Sequence, residues 1–179
     1  RGDELAVECT PKDGIDVGKT KTSPTITIAN APPGAADAKI NPKKPETDQG
    51  LSAVITNESS DPDGDTVTYS YEWFQDGVLF GTNPTVPANA TFRDEEWTVE
   101  ITPSDGSLDG PITTVAVTVE NAAPSIGDCA ISPAKPGTTH DITATANGYS
   151  DPEGDSESIS YTWWLDVGSG FEEQSVTGN

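Results

Sequence analysis

The chain has 179 residues, with 30 Asp and Glu against 9 Lys and Arg, a formal net charge of −21. That length allows one or two small domains, and that charge argues against nucleic acid and anionic membrane as partners, because both would repel it. No apolar run approaches the roughly 20 residues needed to span a bilayer, which speaks against membrane insertion. With 32% hydrophobic residues, 17 Gly and 15 Pro, the choice is between disorder and a loop-rich β protein. Segments 66–74, 97–102 and 113–120 alternate apolar and polar residues as half-buried strands do, which decides for β structure. There is no Met and no signal peptide, so the sequence reads as a processed or excised piece of an exported protein.

In chain order, residues 1–30 read as the last two strands of a small β-sandwich. Residues 31–121 read as one complete sandwich, and residues 122–179 as the first half of a further one. The assignment rests on an internal repeat of about 91 residues, the size of one such domain. Segment 5–33 aligns with 97–124, 31–45 with 122–136, and 59–74 with 149–164. Arg1 aligns with Arg93 and Asn179 with Asn89. The expected fold is therefore all-β: tandem immunoglobulin-like sandwiches, one complete domain and two half-domains.

Within the complete repeat, strand A is expected near 36–41, B near 51–57 and C near 66–74. A short C′/D region follows near 78–87, E near 88–92, F near 97–103 and G near 112–120. Gln75-Asp76-Gly77 is a hairpin turn signal after C. The inward residues are Val67, Tyr69, Tyr71 and Trp73 on C, Trp97, Val99 and Ile101 on F, and Val115, Val117 and Val119 on G. Trp73 recurs as Trp163, and both are assigned with Trp97 to the core rather than to sugar stacking. Phe74 and Trp164 alternate to the opposite face and are the expected exposed aromatics.

Asp61, Asp63 and Asp65 stand at alternate positions of a loop containing Gly64. Calcium takes six to eight hard oxygen ligands, and carboxylates so spaced can wrap one ion. The competing reading is plain turn chemistry, since Asp, Pro and Gly all favour tight loops. The second copy has Asp151, Glu153 and Asp155, where Glu153 replaces Asp63 and lengthens that arm.

The run Ser60-Asp61-Pro62-Asp63-Gly64-Asp65, followed by a strand with Tyr71 and Trp73, resembles bacterial and archaeal extracellular repeats. These are the cadherin-like, polycystic-kidney-disease-like and related immunoglobulin-like modules of adhesins, surface proteins and secreted hydrolases. The resemblance implies an extracellular or cell-surface protein with a tandem sandwich fold. By analogy with cadherins it also implies calcium between domains. The expected ligands at one junction are Asn121, Asp151, Glu153 and Asp155 with Asp94 and Glu96 of the 93–96 loop. At the earlier junction they are Asn30, Asp61, Asp63 and Asp65, with Asp3 and Glu4 in the place of Asp94 and Glu96. Asp105, in the F–G loop, faces the same pole as Asp61 and is a further candidate.

Cys9 aligns with Ile101 on strand F and Cys129 with Ala38 on strand A, so the complete repeat lacks both. Disulfides suit an exported protein. Three pairings are open: Cys129 of one copy with Cys9 of a neighbour, both within one chain, or each with a partner in further sequence. Arg1-Gly2-Asp3 matches an integrin-binding tripeptide too short to carry weight, Asn57 and Asn89 head glycosylation sequons, His-Cys metal spacing is absent, and the single His140 has no clustered partner. No nucleophile elbow, zinc-protease helix or phosphate loop is present, so the chain is expected not to be an enzyme. The expectation is a structural protein of an extracellular filament, sheath or stalk, built from copies of itself joined head to tail. The alternative is a spacer or carbohydrate-binding module with cell-surface or glycan ligands.

Overall fold

The computed structural model describes residues 1–166, 168 and 170–174; the correspondence of Asn179 with Asn89 lies outside them. Among the described residues the chain is all-β, with one short 3-10 turn and no α-helix. It divides into two compact units, Arg1–Glu120 and Asn121–Asn179.

The body of the first unit is a two-sheet sandwich. Strands β5 (Asp37–Asn41), β6 (Leu51–Asn57) and β9 (Thr85–Val86) form one sheet in the order β5-β6-β9. Strands β7 (Thr68–Gln75), β8 (Val78–Gly81), β10 (Glu96–Ser104) and β11 (Thr113–Thr118) form the other in the order β11-β10-β7-β8. All these pairs are antiparallel, and they are the A-B-E and G-F-C-C′ sheets of an immunoglobulin-like sandwich. Alternation explains the packing. Along β10, Trp97, Val99 and Ile101 are buried while the residues between them are partly exposed. They meet Ile40 and Leu51 of the facing sheet and Trp73 beside them on β7. Trp73 and Trp97 are fully buried, edge to face with centroids 6.3 Å apart. The Trp97 indole N–H donates to Glu95 Oε2 at 3.0 Å, which settles the one polar atom the ring brings inside. Tyr69, Tyr71, Val115 and Val117 pack around this core and Val119 lies within it, as the strand periodicity requires. Phe74, expected outward, is half-buried.

Asp76 and Gly77 have φ of 48° and 78° and join β7 to β8, with Gln75 paired to Val78. Two left-handed residues in a two-residue loop match the right-handed twist of the strands. Strand E is displaced from the expected 88–92. The strand paired with β6 is Thr85–Val86, and Ala88–Ala90 is a 3-10 turn. Pro87 is the reason: it offers no N–H to a ladder and ends the strand. Thr91 follows, fully buried, with its hydroxyl 3.0 Å from the Gln49 carbonyl and 2.9 Å from that of Ala88.

Residues 1–30 of this unit form a split hairpin. Strand β1 (Glu4–Leu5) pairs with β4 (Ile26–Thr27), and β2 (Glu8–Cys9) with β3 (Lys21–Thr22). Leu5 opposes Ile26 as Trp97 opposes Val117, whereas Cys9 opposes Lys21 and not Thr22, the counterpart of the Thr113 that opposes Ile101. The ladder breaks at Ser23-Pro24, where Val7 N donates to Ser23 Oγ at 3.0 Å. The hairpin keeps the register of β10 and β11 at β1–β4 and is shifted by one residue at β2–β3.

In the second unit, β12 (Asp128–Ser132) pairs with β13 (Thr143–Asn147), and β14 (Trp163–Asp166) with β15 (Phe171–Gln174). Cys129 opposes Ala146 and Ile131 opposes Ala144, as Ala38 opposes Ile55 and Ile40 opposes Ala53 in the first unit. Trp163, assigned to a core by analogy with Trp73, is only half-buried: among the described residues of this unit no strand pairs with β14 as β10 pairs with β7. Trp164 is exposed as expected.

Candidate functional site

The loop before β7 is shaped by its own side chains. Asp61 Oδ1 accepts from the backbone N–H of Asp63 at 2.8 Å and of Asp65 at 3.2 Å. Gly64, at φ 79°, closes the turn with its N–H on the Asp61 carbonyl. This is the turn chemistry read from the sequence. It also brings the Asp61 and Asp65 carboxylates toward Asp105 of the β10–β11 loop. Asp61, Asp65 and Asp105 each place an oxygen within 4.8 Å of the others'. All three are half-buried.

Asp63 does something different. Its Oδ2 accepts from the N–H of Ala31 at 2.8 Å, the residue that links the hairpin to the sandwich. That bond, with the terminal ammonium and the Arg1 side chain, holds the Asp63 carboxyl below the usual range against the opposing effect of burial. Asn30 spans the other side of the link. Its amide donates to Asp105 Oδ2 at 2.7 Å, and its carbonyl oxygen accepts from the Arg1 guanidinium at 2.5 Å. Asp105 Oδ1 accepts from the N–H of Leu108 and of Ser107, and those bonds, ahead of the one from Asn30, lower its pKa.

The guanidinium of Arg1 forks onto the Asp65 carboxylate, at 2.7 Å to Oδ1 and in contact with Oδ2. The Arg1 α-amino group lies 3.4 Å from Asp63 Oδ1. A cation is thus already present among these acids, supplied by the hairpin. In the sequence Arg1 stands out only as part of a tripeptide and as a repeat landmark, and its loop's place in the junction with the acids is the signal for this role. Asp61 Oδ2 is buried and has no hydrogen-bond partner among the described residues.

The other expected ligands divide. Asp94 and Glu96 lie in the same unit at the far end of β10, about 30 Å from Asp105 by strand length. Asp94 is fixed at φ 71° with its N–H on the Val119 carbonyl. Asp3 and Glu4 are not in the carboxylate group at Asp61. In the second unit, Asp151 Oδ1 accepts from the N–H of Glu153 at 3.0 Å and of Asp155 at 2.9 Å. Glu153 Oε1 accepts from Ala122 at 2.9 Å, repeating the Asp63–Ala31 contact with a longer arm. Asn121 turns its amide onto the Ala122 carbonyl at 2.6 Å. Desolvation, then Asp151 and Asp155, push up the pKa of the Tyr149 hydroxyl beside this loop. The loop design therefore recurs, whereas among the described residues a three-carboxylate group forms only at Asp61, Asp65 and Asp105.

Cys9 and Cys129 are free thiols, both exposed. Trp164 borders an apolar recess with Ile131, Pro133, Ile142 and Trp163. No helix among the described residues is long and apolar enough to cross a membrane.

No family model matches the chain, and no curated protein matches it. Among solved structures it is similar to the crystal structure of chicken CNTN1 FN1-FN3 domains, at 16% identity and a TM-score of 0.38. The match covers 97% of this chain and 62% of that one, so the chain spans less than two thirds of its length. The fold assignment rests on the sheet order and strand registers.

Proposed function

We propose that this chain is a non-enzymatic structural repeat protein of an extracellular filament, sheath or stalk, assembled from copies of itself head to tail. Calcium is the proposed stiffener of the joint at residue 30. The observation that carries the reading is the convergence of Arg1, Asn30, Asp61, Asp63, Asp65 and Asp105 on the link between the hairpin and the sandwich. A joint fixed by charge-assisted bonds from three loops suits load-bearing between repeats.

The residues fit a calcium ion. Ligands on opposite sides of calcium stand up to about 5 Å apart, at about 2.5 Å each, and the three carboxylates meet within 4.8 Å. Asp61 Oδ2 is a buried oxygen still lacking a partner, and such a group costs stability until something binds it. Asn30 and Asp105 would complete the shell on the linker side. Bound calcium would supply charge neutralisation and multidentate oxygen coordination. Asp65 would have to release the Arg1 fork, so ion and guanidinium compete.

Thermal unfolding with millimolar calcium and with excess chelator tests this. The expected result is a higher melting temperature with calcium, lost in Asp61→Asn. Equal melting in both conditions would overturn the calcium assignment. A second reading, a spacer or carbohydrate-binding module of a secreted adhesin or hydrolase, is favoured by Trp164, which is 57% exposed. Retention on a polysaccharide gel that is lost in Trp164→Ala would support it.

A further inference from the structure

In the middle sandwich the F and G strands extend the sheet of C and face A and B, and the positions buried there are apolar but more exposed in the other two segments. Ile40, Leu51 and Trp73 are at most 2% exposed. Their counterparts in the second unit are Ile131 at 61%, Ile142 at 48%, and the half-buried Trp163. Beside Trp73 and facing Ile40 and Leu51, Trp97, Val99 and Ile101 are fully buried. Their counterparts on the hairpin are Leu5 at 52%, Val7 at 58%, and exposed Cys9. Leu5, Val7 and Cys9 stand at the places of Trp97, Val99 and Ile101, and Leu5 opposes Ile26 as Trp97 opposes Val117.

We infer that the apolar face made by β12–β13 and β14–β15 is the seat of the residue 4–27 hairpin of a second copy, and that a Cys129–Cys9 disulfide locks it. This rests on the self-assembly reading above and names its interface. The geometry of the first unit favours a second copy as the source of the hairpin. Its hairpin is tied by Arg1 and Asn30 to the Asp65 and Asp105 end of the sandwich, whereas Glu120 leaves at the Glu96 end. The cysteines fall at the places of Ala38 and Ile101, which contribute to one core from facing sheets. Both thiols are free in the separate chain, so closure is an exchange with an external disulfide. The Cys9 and Cys129 sulfurs bond to each other, the external disulfide takes two electrons, and it leaves as two thiols. The interface is head to tail and does not close on itself, so it propagates.

The test mixes Cys9→Ser and Cys129→Ser proteins in equal amounts under a glutathione disulfide buffer. Docking raises the local thiol concentration, so the mixed dimer should exceed either homodimer by about tenfold or more on non-reducing electrophoresis. A statistical mixture of dimers, or thiols that remain freely alkylated, would overturn the proposal. So would wild-type protein oxidised only as an 18.7 kDa monomer, which would mean closure within one chain. Leu5→Asp gives a second readout that does not depend on the thiols. It should abolish the concentration-dependent blue shift of Trp163 and Trp164 fluorescence and weaken self-association in sedimentation, while the melting of the middle sandwich stays unchanged. Loss of neither would again overturn the docking. The calcium melt is independent, because its ligands all lie at the other joint.

Discussion

At Asp63 a single carboxylate holds the link between hairpin and sandwich through the Ala31 N–H, and its pKa is lowered mainly by that bond. A carboxyl depressed in the folded state contributes stability that is present above its unfolded pKa, about 3.9 for Asp, and lost as pH falls through the lower folded value. Asp105 has the same sign. Acidification below that range should therefore free the link before the sandwich melts. The protection of the Ala31 amide against exchange, relative to its unstructured rate at each pH, should fall on acidification in the wild type, and it should already be low and vary less with pH in Asp63→Asn. Arg1 sets the second expectation at this scale. Its fork on Asp65 is a tethered competitor for any cation, so Arg1→Ala should bind calcium more tightly in titration calorimetry; unchanged affinity would mean that the guanidinium and the ion do not share the site. The turn formed by Asp61 was legible from residue type and spacing alone. Asp63's turn toward Ala31 and Arg1's entry into the acids were not, because a loop arginine carries no periodic signal and its partner is 64 residues away.

Among the elements, the longer strands were legible because alternation and turn residues agreed: β6 and β10 run where Leu51–Asn57 and Glu96–Ser104 alternate or punctuate. Strand β9 was misplaced because two residues are too few to show a period, and Pro87 then redirects the chain into a 3-10 turn. The acidic pole was legible through the topology of a sandwich, which puts the loop before β7 and the loop after β10 at one end. Matched truncations measure what cover is worth. Ile40→Ala should cost the middle sandwich about 2–5 kcal/mol, the range for emptying a buried aliphatic site. Ile131→Ala, at the equivalent but open position, should leave the melting of the isolated chain nearly unchanged. If both variants lost similar stability, the second unit would already own a closed core.

For the molecule as a whole, a net charge of −21 makes every copy repel the next. Screening shortens that repulsion, from a Debye length of about 30 Å at 0.01 M salt to about 8 Å at 0.15 M. Self-association should thus become faster as sodium chloride is raised across this range, measured by light scattering. An interface held chiefly by ion pairs would show the opposite slope. The repeat itself was visible as three aligned blocks, and the strand registers follow it at β1–β4 and at β12–β13. How copies would meet was less visible, since burial depends on which surfaces meet and not on which residues are apolar.

The way the chain enters and leaves the middle sandwich has a mechanical consequence. It enters at the Asp105 end through Ala31 and leaves at the Glu96 end. Near its exit Glu120 is pinned in a parallel bridge to Glu46, by Thr47 N to Glu120 O at 3.2 Å and Glu120 N to the Pro45 carbonyl. Tension applied along the chain would pull the first and last segments in opposite directions along their length. The bridge and the ladders behind it would be loaded in shear, with their hydrogen bonds sharing the force rather than opening one at a time. A thread of such domains would yield in abrupt steps, one sandwich after another, and not by gradual peeling.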